Sequence, residues 1–472
     1  MYVCLIALMV LPCFSCKKLI SIPDPVDSIT TNKVFATDDQ AISAMAGVYS
    51  QMINGTYSPA DAYSSFASGN STLNGAKSAD EFGNYTIAPN PNVLLRTKTS
   101  IIWTSAYKAI YGANNVIEGI EASSSPSLRE SVRKRLTAEA KFVRAFCYFY
   151  LVNFFGDVPL VLTVDFNQTA QMSRTPVAVV YAQMIQDLQE AKSVLAADFS
   201  DSKSGERIRP NKWAATALLA RVYLYTRDYG NAALQAGEVI SQSGLFELKP
   251  NLNEVFLMNS KEAIWQLQQN DPTHTNGFST PEGSTLISNI SQTKRYNFQL
   301  SDELVQAFEN KDKRKTDWTI TTIQDGKTYY TPYKYKKGSD DASKLSPLSE
   351  YYMVLRLAEQ YLIRAEARAL GTGQLGPAID DLNLIRRRAG LDDLVATLSK
   401  NEVITAIEKE RRTELFSEWA HRWFDLKRTG RAHDVLSALQ IKQPWAGDAQ
   451  FLYPIPDDEI LANSKLTQNP GY

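Results

Sequence analysis

Histidine is almost missing from this chain: His274, His421 and His433 are the only three in 472 residues. None stands in the H-E-x-x-H spacing that sets two imidazoles one helical turn apart on a zinc ion. No G-x-S-x-G elbow accompanies them, so a Ser-His-Asp hydrolase has no frame. The G-x-x-x-x-G-K-[ST] phosphate loop is absent as well. An excess of positive charge is also lacking, with 50 Lys and Arg against 51 Asp and Glu and a net charge of -1. General nucleic-acid binding draws its affinity from counterion release by such an excess, so no nucleic-acid partner is expected. Glycoside hydrolysis needs only two placed carboxylates, but among 51 acids a pair can always be nominated, and the signal carries no weight. The expectation is a protein without catalytic residues, cofactor or metal.

Cysteine is scarce too, and its placement is informative. Three of the four, Cys4, Cys13 and Cys16, lie in the opening "MYVCLIALMVLPCFSCKK". The apolar run from Tyr2 to Phe14 is too short to span a bilayer and suits the core of an export signal. Small Ser15 precedes Cys16 and polar sequence follows, a pattern that resembles a bacterial lipoprotein signal with Cys16 as the acylated first residue. Position 13 carries Cys where such signals usually have Leu. Residues 1–15 are thus expected to leave as a signal and residues 16–33, with Pro23 and Pro25, to form an extended tether. Only Cys147 then remains as a thiol, so no disulfide framework holds the chain and a hydrophobic core must do so.

What is present is helical periodicity. In "RKRLTAEAKFVRAFCYFYLVNFFGDVPLV" the residues Leu136, Ala140, Val143, Cys147, Tyr150 and Phe154 recur at spacings of three and four, and Gly156 with Pro159 ends the helix. A helix opens at "ATDDQAISAMAGVYSQM" with Thr37 as its cap, and another is predicted over 176–196. Two helix–turn–helix pairs, in "PNKWAATALLARVYLYTRDYGNAALQAGEVI" and "LRLAEQYLIRAEARALGTGQLGPAIDDLNLIRRRAG", place alanines where helices approach closely. Their length and pattern are tetratricopeptide-like. Strands are expected at "EAIWQLQQ" and "KTYYTPYKYKK". The fold class is therefore mostly α, a tetratricopeptide-like helical repeat scaffold with long loop-rich insertions and a few short strands.

Two loop regions carry the candidate binding chemistry. Residues 54–97 are rich in Gly, Ser, Asn and Pro with interspersed aromatics, and a Gly/Ser/Thr/Asn-rich segment at 270–293 belongs to a second loop region that supplies Tyr296. Sugar rings offer apolar faces to aromatic side chains and hydroxyls to Asn and Asp. On that chemistry Tyr57, Tyr63, Asp80, Phe82, Asn84, Tyr85 and Tyr296 are the candidate ligand-binding residues.

The densest charged stretch, "EKERRTELFSEWAHRWFDLKRTGRA" (408–432), holds seven Lys or Arg and five Asp or Glu. Near balance predicts internal ion pairing rather than a phosphate-binding stripe. Ile404, Ile407, Leu415, Trp419 and Trp423 fall on roughly one helical face, with Arg411 between, and Arg412 or Arg422 is expected to clamp Glu414, Glu418 or Asp425.

This stretch resembles the carboxy-terminal signature of the SusD/RagB family of outer-membrane nutrient-binding lipoproteins. "FATDDQAISAMAGVYSQM", "AEAKFVRAFCYFYLVNFFGDVPLV", "LRLAEQYLIRAEA" and the ending "LYPIPDDEILANSKLTQNPGY" are similar to the family in the same order, over nearly the whole chain. The resemblance implies a single SusD-like domain over 34–472, with an N-terminal half 34–244 and a C-terminal half 245–472. It implies a cell-surface protein, lipid-anchored in the outer membrane, that binds glycan and delivers it, without catalysis, to a SusC-type TonB-dependent transporter. A secreted carbohydrate-active enzyme, or a member that binds peptide or another nutrient, stands as the alternative. The family's ligand site lies in variable loops, so no ligand residue is carried over from it.

Overall fold

The structure is a computed structural model and describes residues 34–54, 76–78, 93–269, 278–287, 298–324, 326–338, 348–439 and 447–472. The signal, the tether and Cys16 lie outside the described residues. The chain runs α1 (Asp38–Asn54), β1 (Ala76–Ser78), α2 (Val93–Ala122), α3 (Glu130–Phe155), α4 (Val177–Val194), α5 (Lys212–Tyr225), α6 (Tyr229–Ile240), β2 (Ala263–Leu267), α7 (Pro281–Leu286), β3 (Phe298–Leu300), α8 (Asp302–Ala307) and α9 (Lys313–Asp317). It continues through β4 (Thr319–Gln324), β5 (Lys327–Pro332), β6 (Tyr352–Arg356), α10 (Leu357–Ala367), α11 (Leu375–Arg388), α12 (Lys400–Glu414), α13 (His421–Arg428), α14 (Ala432–Ser437) and α15 (Asp457–Ala462). No described helix is long and apolar enough to cross a membrane.

Helix α3 is the central element, apolar nearly all round from Leu136 to Phe155. A helix buried on every face must be enclosed by others, and α2, α4 and α5 pack against it. Phe142 and Phe146 meet Trp265 edge-on at 4.9 and 5.4 Å. Gly156, at φ 75°, ends the helix with its N–H on the Val152 carbonyl. Cys147 is buried and free within this core. Close approach explains one glycine: a Cβ on Gly119 of α2 would stand 2.1 Å from the Phe35 ring.

The two helix pairs expected from the sequence are α5–α6 and α10–α11. They are distant in sequence, yet α10 lies directly on α6. Asn211 and Asp228 cap α5 and α6 through their side chains. Arg221 of α5 grips Glu359 of α10 with two bonds of 2.7 and 2.6 Å, both groups buried. Burial alone would raise the Glu359 carboxyl, but the Arg221 guanidinium outweighs it and holds the group at about 2. A second apolar cluster, built on Leu362, Ile379, Leu382, Val403 and Ile407, joins α10, α11 and α12. Gly371 and Gly373 between α10 and α11, with Gly376 in the first turn of α11, have a spacing that also occurs in dinucleotide-binding loops. Here it links two helices with no preceding strand, which that chemistry requires.

Helix α12 opens with a capping box between Ser399 and Glu402. It stops at Glu414, so the single continuous face expected through Trp423 does not form. Residues 415–420 make a tight turn in which Ser417, Trp419 and Ala420 hold φ of 51°, 39° and 60°. Non-glycine residues adopt that region only when their surroundings force it. The surroundings are visible: Trp419 is buried, donates its indole N–H to the Met353 carbonyl at 2.6 Å, and lies 4.8 Å from the Tyr352 ring.

His421, first residue of α13, is buried beside Glu359, Arg221, Arg411 and Asp425. Burial pushes its imidazole down to about 4, with Arg221 and Arg411 reinforcing and Glu359 opposing the shift. The unfolded chain takes up this proton near pH 6.5 whereas the folded chain refuses it until about 4. The stability His421 contributes is therefore complete above pH 6.5 and lost as pH falls toward 4, by about 2–3 kcal/mol. Urea midpoints at pH 7 and pH 4.5 check this: His421→Gln is expected to lose less stability over that interval than the native chain. An equal loss contradicts it.

Candidate functional site

Tyr57, Tyr63, Asp80, Phe82, Asn84, Tyr85 and Tyr296 all lie outside the described residues, as does Cys16. The structure instead places the boundaries of the two loop regions that contain the seven candidate ligand residues. Strand β1, from the first region, pairs antiparallel with β3, at the end of the second, in the register Ala76↔Leu300, Lys77↔Gln299 and Ser78↔Phe298. Segments more than 200 residues apart in sequence thus meet at one ladder.

A third element adjoins them. The β4–β5 hairpin packs against β3 and turns at Gly326, which holds φ 73° beside the closing pair Gln324↔Lys327. Lys327 at the base of that turn pairs with Asp302 of α8 at 3.6 Å. Ile323 on the hairpin is 78% exposed. The sequence marks "KTYYTPYKYKK" only as a strand. Its place beside the loop junction is a tertiary fact with no local signal.

The second loop region is closed at its base. Gln269, buried at the end of the β2 segment, donates from Nε2 to the carbonyls of Phe278 and Glu350, each at 2.9 Å. Gln269 and Phe278, the described residues on either side of this stretch, are thereby held together. Helix α7 follows, with Thr280 as its side-chain cap. It lies so close to the 335–338 segment that a Cβ on Gly283 would fall 2.3 Å from the Lys337 carbonyl oxygen. Ser279 Oγ donates to the Gly338 carbonyl at 2.8 Å. These contacts fix the path of the chain between the two stretches of the loop region.

Beneath α7 lies a buried ionic floor. Lys334, just after β5, reaches under the hairpin to Glu418 and to the Glu414 carbonyl, with its ammonium 4.2 Å from the Phe416 ring centre. Burial pushes it down to about 8, with Glu418 opposing. Arg356 of β6 contacts Glu418, Glu414 and Glu262. Arg388 of α11 contacts Glu262 and Glu414, and Arg314 of α9 contacts Asp312, Glu410 and Glu414. The clamps expected from Arg412 or Arg422 are not the ones formed: Glu414 and Glu418 take partners from α9, β6, α11 and the segment just after β5, and Asp425 pairs with Arg411 and Arg428. Glu282 of α7 faces this floor, buried, with one carboxylate oxygen lacking a hydrogen bond. Burial raises its carboxyl well above the usual range, with Glu418 adding and Lys334 opposing. The charged stretch at 408–432 is thus scaffold, and it carries the loop junction.

Comparison with known proteins agrees with this architecture. A family model described as "Starch-binding associating with outer membrane" matches residues 28–224, and the SusD family model matches residues 322–472. A "SusD-like protein P2" of Formosa agariphila is 28% identical over 441 residues, covering 83% of each chain. The "Starch-binding protein SusD" of Bacteroides thetaiotaomicron is 23% identical over 428 residues, covering 73% of each. Among solved structures, a "Laminarin binding SusD-like protein" superposes with a TM-score of 0.72 at 26% identity, over 93% of this chain and all of that one. A SusD superfamily protein from Bacteroides vulgatus superposes with a TM-score of 0.77 at 20% identity, over 93% of this chain and 100% of that one.

Proposed function

Because this chain belongs to the SusD/RagB family, we propose that it captures glycan at the cell surface without cleaving it and passes it to a SusC-type TonB-dependent transporter in the outer membrane. Residues 34–472 act as one SusD-like domain behind a signal at 1–15 and a tether at 16–33. The observation that carries the reading is the β1–β3 ladder. It draws together the two regions that hold Tyr57, Tyr63, Asp80, Phe82, Asn84, Tyr85 and Tyr296, so that aromatic faces and hydroxyl-reading groups from both can serve one ligand. The ionic floor under α7 holds the described base of the second region in place, and a preorganised base lowers the entropy lost on binding. The names of two similar proteins, one starch-binding and one laminarin-binding, support a glucan-like ligand.

Anchoring is carried by Cys16, since acyl chains contribute about 0.8 kcal/mol per buried CH₂. Cys16→Ala is expected to move the protein out of the outer-membrane fraction while leaving its glycan binding in solution intact. A variant still found in that fraction, or still acylated, removes Cys16 from its assigned role. Co-purification of the native chain with a SusC-type transporter tests the partnership.

A further inference from the structure

A cleft of about 780 Å³ opens where the end of α3, the start of α4, the end of α5, α13 and the last residues of the chain meet. It shares no element with the loop junction. That volume lies within the range of small-ligand sites. Its charge is lopsided. Arg174, Lys427 and Lys465 stand on its wall, and none of the three forms an ion pair among the described residues.

The Lys427 ammonium donates to the Asn153 carbonyl, in the last turn of α3, and lies 5.3 Å from the Trp423 ring centre. No carboxylate reaches it, and burial pushes it down to about 7. Arg174 donates to neutral oxygens alone: the carbonyls of Asp157, Thr467 and Phe155 and the Asn469 side chain. The one carboxylate on the wall, Asp157, accepts the Val177 N–H at the start of α4 and offsets part of the Arg174 charge without forming an ion pair with it. Arg428 also borders the cleft, but Glu366 and Asp425 neutralise it. Tyr225 adds a buried hydroxyl without a hydrogen-bond partner. The carbonyls at the end of α3 supply only a fraction of a negative charge. A desolvated cation without a counter-ion is costly, and an anion entering the cleft removes that cost.

We propose that this cleft is a second binding site, for an oxyanion such as the carboxylate of an acidic sugar or a free sulfate, with Lys427 and Arg174 as charge partners and Lys465 at its mouth. It stands independently of the loop site, because none of its lining residues belongs to the loop junction. Occupancy weakens as salt rises, since the partners are partly solvated.

Calorimetric titration of the full chain with an oligogalacturonate, with inorganic sulfate and with a neutral oligosaccharide of the same length tests it. The oligogalacturonate is expected to bind. Lys427→Met weakens its affinity about tenfold or more, the loss of one charge-assisted contact. Lys427→Arg, which keeps the charge, retains binding, and exposed Lys465→Ala weakens it less than Lys427→Met does. Sulfate binding without the acidic sugar supports the oxyanion site and assigns it to a free anion. Failure of both anions to bind, or Lys427→Met and Lys465→Ala variants that bind as the native chain does, overturns the proposal. Neutral-sugar affinity is unchanged by these variants, which separates this outcome from any failure of the loop site.

Discussion

Glu414→Ala is expected to lower the unfolding free energy by about 3–5 kcal/mol, the cost of removing one member of a buried ion network. Glu414 is 0% exposed. One of its oxygens accepts from Arg356 at 2.6 Å and from Arg388, and the other accepts from Arg314 at 3.1 Å. Burial alone would raise its carboxyl, but these three guanidiniums outweigh burial and hold it well below the usual range. Without the carboxylate each of the three buried guanidiniums loses a partner, and Arg388 is left with Glu262, which it shares with Arg356. Urea unfolding checks this through a lower midpoint at unchanged slope. A loss under about 1 kcal/mol would mean the network is replaceable. The sign with pH follows from the lowered carboxyl: its contribution is complete above the unfolded value and is lost as pH falls through the folded one.

The second large effect concerns binding rather than stability. Combined replacement of Tyr57, Tyr63 and Tyr85 by alanine is expected to weaken glycan affinity by about a hundredfold or more. Each aromatic face contributes about 1 kcal/mol beyond its buried area, and central aromatic anchors dominate most binding sites. The unfolding free energy should stay within about 0.5 kcal/mol per residue of the native value, as for substitutions away from the core. Calorimetry on the best-binding oligosaccharide reads the first expectation and urea unfolding the second. Unaltered affinity would remove this tyrosine cluster from the ligand site.

The helical scaffold could be read from the sequence because its signals are local. The spacing of Leu136, Ala140, Val143 and Cys147, and the Gly156–Pro159 stop, need no tertiary information. The alanine-lined pairs also stood out, although their stacking through Arg221 and Glu359, 138 residues apart, did not. The segment 408–432 misled in its detail for the same reason. Local spacing proposed Arg412 or Arg422 as partners of Glu414, whereas its partners lie 26, 58 and 100 residues away. Nor could spacing reveal the break at 415–420, since Ser417, Trp419 and Ala420 are not residues that favour positive φ. The loop regions could be recognised by composition, but only the pairing of Ala76–Ser78 with Phe298–Leu300 shows that they meet. The hairpin beside them, with its exposed Ile323, carried no compositional sign of involvement.

The most direct test incubates the purified chain with a panel of neutral oligosaccharides, laminarin fragments included, and follows retention and new reducing ends in the same samples. Retention of at least one oligosaccharide with no increase in reducing ends, even at high protein concentration, is the predicted result. New reducing ends that scale with the amount of protein would contradict it and make this chain an enzyme.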